Sequence, residues 1–152
     1  MNRLRLLVFT ILFSIIGGCG FHLVQKNMAI NAEIIANEDS IFANKLKKKL
    51  NENISHRLKV HVLKERKSED ISSYSATGSQ TGSNLIYTVD LNILDLQGQI
   101  LSKETLSANM LVRKLSSPQA ERIQIDETYE KLADSIVRKL IRKLMRFNEN
   151  KL

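Results

Sequence analysis

Hydrophobic side chains recur along this chain first as a block, then every fourth residue, then every second, and finally every third or fourth again. The block is residues 6–16, interrupted only by Thr10 and Ser14. Farther on, residues 32–36 suit a short strand. Asn37, Glu38, Asp39 and Ser40 carry turn chemistry, with Asp39 or Ser40 placed to accept from the unpaired N–H groups that open a helix. Phe42, Leu46, Leu50 and Ile54 then recur every fourth residue, with Lys45, Lys47, Lys48 and Lys49 between them. That spacing predicts an amphipathic helix with one buried stripe. From Leu58 the period is two: Leu58, Val60 and Val62 alternate with Lys59 and His61 in a strand that runs into the charged residues 64–70. Residues 72–84, rich in Ser, Thr and Gly, predict an exposed hairpin connection or loop.

Leu85, Tyr87, Val89, Leu91 and Ile93 give the clearest alternation of the chain and predict a strand with one buried face. Asp95-Leu96-Gln97-Gly98 reads as a tight turn, Gly98 being free to take positive φ. A fourth strand follows, with Ile100, Leu106, Ala108, Met110 and Val112 on one face. Pro118, the only proline, ends it and suits the first turn of a helix. Ile125, Tyr129, Leu132, Ile136, Leu140, Leu144 and Phe147 form the apolar stripe of that helix, and Arg138, Lys139, Arg142, Lys143 and Arg146 complement the negative pole of its dipole. The predicted architecture is an α+β two-layer sandwich, two helices packed on one face of a four-stranded, mostly antiparallel sheet. It occupies residues 32–152 as a single domain.

The apolar block changes the reading of the N-terminus. Arg3 and Arg5 precede it, and Gly17, Gly18 and Cys19, the only cysteine, follow it. Basic start, apolar stretch and small residues at a cut are the layout of an export signal. A helix of that length spans about 16 Å, against roughly 30 Å of bilayer hydrocarbon, so it is too short to stay as a membrane span. Ile16-Gly17-Gly18-Cys19 resembles the lipobox of bacterial lipoproteins, which predicts cleavage between Gly18 and Cys19 and lipidation of the Cys19 thiol. Residues 1–18 are then a signal peptide, and residues 19–31 a lipidated tether. Gly20 stands where an acidic residue would commonly mark retention at the inner membrane, so the expected location is the outer membrane, facing the periplasm. Removing Arg3 and Arg5 leaves 21 of the 23 basic residues against 16 acidic ones. A basic balance admits anionic lipid or an acidic surface as partner, and the compartment argues against nucleic acid. With its thiol consumed by lipid, the domain has no disulfide and rests on a largely aliphatic core.

Cys19-Gly20-Phe21-His22-Leu23 resembles the Cys-Gly-aromatic-His-Leu start of the LptE family of lipopolysaccharide-assembly lipoproteins. The order of elements, the turn at residues 95–98, Pro118-Gln119 and the pattern of the last helix are also similar to that family over nearly the whole mature chain. The resemblance implies a non-enzymatic subunit that plugs and helps assemble the outer-membrane β-barrel LptD, sits largely in its lumen and binds lipopolysaccharide. One departure is that residues 72–84 contain no basic side chain, whereas relatives often carry one in this connection.

Little catalytic chemistry is legible. His22, His56 and His61 are the only histidines, and no HExxH, cysteine pair or His cluster has metal spacing, so no metal or cofactor is expected. No Gly-x-Ser-x-Gly elbow is present, and residues 78–82 lack the Gly-Lys-Ser/Thr ending of a phosphate loop. The expected binding residues are Arg113, Lys114 and Arg122, which flank the break after the fourth strand beside Met110 and Val112. Clustered cations of this kind give charge-assisted hydrogen bonds to the phosphates of lipid A. The competing reading is a generic periplasmic lipoprotein acting as an inhibitor or envelope-structure factor, and a more distant one is a degenerate lipoprotein hydrolase.

Overall fold

The computed structural model describes residues 30–149 apart from positions 52 and 56. Its elements, in chain order, are β1 (Ala32–Ile35), α1 (Ile41–Lys47), β2 (Leu58–Tyr74), β3 (Gln80–Leu94), β4 (Ile100–Arg113) and α2 (Pro118–Glu149). The strands form one sheet in the order β1-β2-β3-β4. β1 runs parallel to β2, with Ala32 opposite Leu58, and the other two pairings are antiparallel, so the sheet is mixed. Both helices cover the same face, giving the expected α+β layering. Leu85, Tyr87, Val89, Leu91 and Ile93 of β3 meet Leu132, Ile136, Leu140 and Leu144 of α2 and Phe42 and Leu46 of α1 in one core.

Local chemistry accounts for the element ends. Ser40 caps α1, its Oγ accepting from the Ala43 N–H at 2.8 Å. α1 is shorter than its stripe predicts and stops at Lys47. Asn51 turns the chain: its N–H donates to the Ile30 carbonyl at 3.1 Å, and its side chain accepts from the Asn53 N–H at 3.1 Å. Leu50 still packs on the core, but from this turn rather than from a helix. Gly98, at φ 84°, closes the β3–β4 turn as expected, with Asp95 Oδ1 accepting from the Gln99 N–H at 2.8 Å. Pro118 is the first residue of α2.

β2 and β3 depart most from the sequence pattern. β2 continues through the charged stretch to Tyr74, and β3 begins at Gln80, so only residues 75–79 of the predicted connection form a turn. A bulge at Leu63 sets the facing of the charged stretch. Val62 pairs with Leu91 and Lys64 with Asp90, so Leu63 stands unpaired and the facing of β2 shifts by one residue. Glu65, Lys67 and Glu69 thereby lie opposite Val89, Tyr87 and Leu85, on the helix-covered side. They are tolerated there because each finds a partner. Glu65 accepts from the Tyr87 and Ser40 hydroxyls, Glu69 accepts from Ser83 Oγ at 2.6 Å, and Lys67 Nζ lies 5.0 Å from the centre of the Tyr129 ring. Burial, then the Glu65 hydrogen bond, pushes the Tyr87 hydroxyl well above the ordinary tyrosine range, so it stays a donor.

β4 corrects a second expectation. Leu106 and Ala108 are buried on the helix side as predicted, but a shift between Ile93 and Leu94 pairs Ile100 with Leu94 on the open face, while Leu101 packs on the core. Two lysines of α2 tie the helix to this strand. Lys143 pairs with Glu104, whose carboxyl it holds below the ordinary carboxylate range, and Lys139 donates to the backbone carbonyl of Ser107. Lys45 of α1 bridges to Asp134 of α2 at 3.0 Å, which fixes the two helices side by side.

Candidate functional site

The residues picked out from sequence gather at the end of the sheet where β4 stops and α2 begins. In the register of the sheet, Ile71 lies opposite Ser83 and Ser83 opposite Val112, while Leu85 faces Met110. Ile71, Met110 and, from α2, Ile123 remain 53%, 41% and 53% exposed. Tyr74 and Leu111, at 62% and 70%, add to the apolar margin. Arg113, Lys114 and Arg122 are exposed beside it. Gly82 is required where the strands close up: a Cβ there would lie 2.9 Å from Ser73 Oγ and 3.0 Å from the Val112 carbonyl oxygen.

The three cations do not all share one face. Arg113 pairs with Gly82 and belongs with Asn109 and Leu111 on the sheet face that no helix covers. The Lys114 N–H donates to the Thr81 carbonyl at 3.0 Å, extending the pairing by one residue and, by alternation, placing Lys114 on the helix side with Arg122. Just after Arg122, the buried Gln124 Oε1 has no hydrogen-bond partner, an acceptor that a bound donor would satisfy. Met110, expected in the core face, does lie on the helix side opposite the buried Leu85, but on the edge strand it remains exposed and joins this margin. Ile71, Ile123 and Gln124 were not singled out from sequence. Each is an ordinary residue locally, and only the pairing of distant elements brings them together.

The uncovered face of the sheet is hydroxyl- and amide-rich. Thr88 Oγ1 donates to Ser107 Oγ at 3.2 Å, Asn109 Nδ2 to Asn84 Oδ1 at 3.0 Å, and Thr105 Oγ1 to Asp90 Oδ1 at 2.8 Å. Arg66 pairs with the same Asp90 at 3.0 Å. His61 lies on this face, opposite Asn92. Such a surface suits water or a polar protein wall and is poorly suited to burying a second apolar layer. Among the described residues no group of three or more His, Cys, Asp or Glu could hold a metal ion, and no helix is long and apolar enough to cross a membrane. The predicted cleavage and lipidation residues Gly18 and Cys19, with His22 and His56, lie outside the described residues.

Solved structures share this fold. The chain is similar to the rare lipoprotein B from Shewanella oneidensis, with TM-score 0.68 at 10% identity over 78% of this chain and 96% of that one. It is also similar to lipoprotein B from Nitrosomonas europaea, with TM-score 0.63 at 15% identity over 79% and 84% of the two chains. A minor lipoprotein from Acinetobacter baumannii gives TM-score 0.59 at 20% identity over 77% and 90%. No curated protein matches the chain. The family model for LptE, described as lipopolysaccharide-assembly, matches residues 28–140, most of the described fold and none of residues 19–23, which first resemble it. On that match the chain belongs to the LptE lipopolysaccharide-assembly family.

Proposed function

We propose that this protein is a lipoprotein, cut between Gly18 and Cys19 and lipidated at Cys19, that serves as a non-catalytic subunit of the machinery delivering lipopolysaccharide to the outer membrane. In this reading residues 32–152 act as one periplasmic domain, which plugs an LptD-like β-barrel, assists its assembly and binds lipopolysaccharide. The observation that carries it is the end of the sheet where β4 gives way to α2. There an exposed apolar margin of Ile71, Met110 and Ile123 adjoins Lys114 and Arg122, with Arg113 on the opposite face. Lipopolysaccharide joins acyl chains to a phosphorylated head, so its recognition calls for this combination of apolar and cationic groups. The polar uncovered face supports the barrel partnership, since it offers hydroxyl and amide groups to a wall of similar chemistry.

The first test is co-purification: the full chain should bring down a large outer-membrane barrel. Without one, the chain reverts to a generic envelope lipoprotein. The second is lipopolysaccharide binding after joint reversal of Arg113, Lys114 and Arg122 to Glu. Affinity should fall, with thermal stability and barrel association retained, and the difference should shrink as salt rises, because exposed charges are screened within about 8–10 Å. A matched reversal at Lys64, Lys103 and Lys131 controls for net charge. Equal losses in both variants would mean diffuse attraction and no located site.

A further inference from the structure

Charge is unevenly divided along α2. Its first half carries acids such as Glu121, Glu127 and Glu130, whereas Arg138, Arg142 and Arg146 stand exposed at four-residue intervals in its second half. These three arginines have no acidic partner among the described residues, and neither do Lys47, Lys48 and Lys49, exposed at the end of α1. Contacts down the sheet show which way the basic half points. Tyr129 bonds to Ser68 of β2, and Lys139 to Ser107, in the row of Thr88 and Arg66; Lys143 pairs with Glu104, in the row of Leu91 and Val62. Arg146, about one turn later, therefore lies toward Val60 and Leu58, where β1 begins. Lys47, Lys48 and Lys49 share that end, because the turn that follows them bonds to Ile30 through Asn51. Ile30 is where the chain arrives from the N-terminal segment.

We infer that this basic end docks on an anionic phospholipid surface, a second attachment beside the acyl anchor. The inference rests on the proposed lipidation of Cys19. Ile30 lies eleven positions beyond Cys19, and at most about 3.6 Å per step keeps Ile30 within roughly 40 Å of the anchor. β2 alone, with 17 residues, is about 56 Å long at 3.3 Å per residue, so the tether favours the basic end and not the far end of the sheet. Charge favours the same orientation: at the far end Arg113, Lys114, Arg122 and Lys131 are offset by Glu121, Asp126, Glu127 and Glu130, whereas the other end is net basic. Each Lys or Arg near an anionic membrane strengthens attachment roughly fivefold.

The test uses the full chain after processing, reconstituted in vesicles of phosphatidylcholine alone and of phosphatidylcholine with about a quarter phosphatidylglycerol. Amine labelling is then followed residue by residue. Lys47, Lys48 and Lys49 should react roughly threefold or more slowly on the anionic vesicles, and Lys64 and Lys131 at the same rate on both. High salt should remove the difference, and Arg142→Gln with Arg146→Gln should reduce it. Equal labelling on both lipids, or equal slowing at every lysine, overturns the inference. Flotation separates the two readings: a chain that floats with both vesicles but shows no lysine difference keeps its anchor and loses the docking pole. A chain that floats with neither has lost the anchor itself.

Discussion

Deleting Leu63 should leave the fold standing, whereas deleting Thr88 should destroy it, although neither side chain is fully buried. Leu63 is the unpaired residue of the β2 bulge and is 54% exposed. Without it, Val62 and Lys64 become neighbours that point to opposite faces, which is what their partners Leu91 and Asp90 already require. The loss is about half of a leucine's burial, roughly 1 kcal/mol, set against one regularised pairing. The midpoint of thermal unfolding should move by no more than about 4 °C. Thr88 makes only a hydroxyl contact with Ser107, about 1 kcal/mol by itself. Its removal, however, makes Tyr87 and Val89 adjacent, and adjacent strand residues cannot face the same side. No adjustment of β2 or β4 repairs that. Either Leu85 and Tyr87 or Val89, Leu91 and Ile93 must turn outward, all of them 0–1% exposed. At about 1.5–3 kcal/mol for each of at least two side chains, the cost is roughly 3–6 kcal/mol, comparable with the whole stability of a small domain. Urea and thermal unfolding followed by circular dichroism measure both variants. An unfolded Leu63 deletion, or a Thr88 deletion that melts near the parent, would refute the assigned bulge.

Two further expectations concern single groups. Ser40→Ala removes the cap of α1 and one donor to Glu65, and should cost about 1–2 kcal/mol in urea unfolding, with Ser40→Gly recovering only the cap's share. Glu104 is held below its ordinary range first by the Lys143 hydrogen bond and then by Ser102, against some desolvation. A depressed carboxyl stabilises the folded state above its unfolded pKa, about 4.3 for glutamate. That contribution is lost as pH falls through the lower folded value, because the unfolded chain then binds the proton more readily. Glu104→Gln should flatten this part of the stability–pH curve, and an unchanged slope would remove Glu104 from the account.

The parts of the fold legible in sequence are those whose facing is set by one uninterrupted pattern. β3 alternates without a break, α2 keeps its stripe from Ile125 to Phe147, and Asp95 and Gly98 carry their turn by local chemistry alone. The end of α1 was hidden because Leu50 and Ile54 keep the helical spacing after Asn51 has already turned the chain. The second half of β2 was hidden for a different reason. Glu65, Lys67 and Glu69 read as solvated charge until Tyr87, Ser83 and Tyr129, all distant in sequence, are seen to partner them. At the candidate site, Arg113, Lys114 and Arg122 were legible as a cluster around a strand end. Which face Arg113 takes and which apolar residues join it depend on register, which a single strand's pattern does not contain.

The bond from Lys139 to the Ser107 carbonyl has a consequence for how the molecule behaves in company. β4 is an edge strand, and from Thr105 to Val112 it carries no charge of its own, a stretch well suited to recruiting another chain's strand. The odd-numbered residues of this stretch aim their backbone groups outward, and the carbonyl midway along it is already held by an ammonium from α2. A strand arriving from a second copy must displace that ammonium and find room for its charge before it can pair along the whole stretch. The helix therefore does more than close the core: it supplies from outside the strand the gatekeeper that the strand's own sequence lacks, and guards the protein against fibrillar self-association.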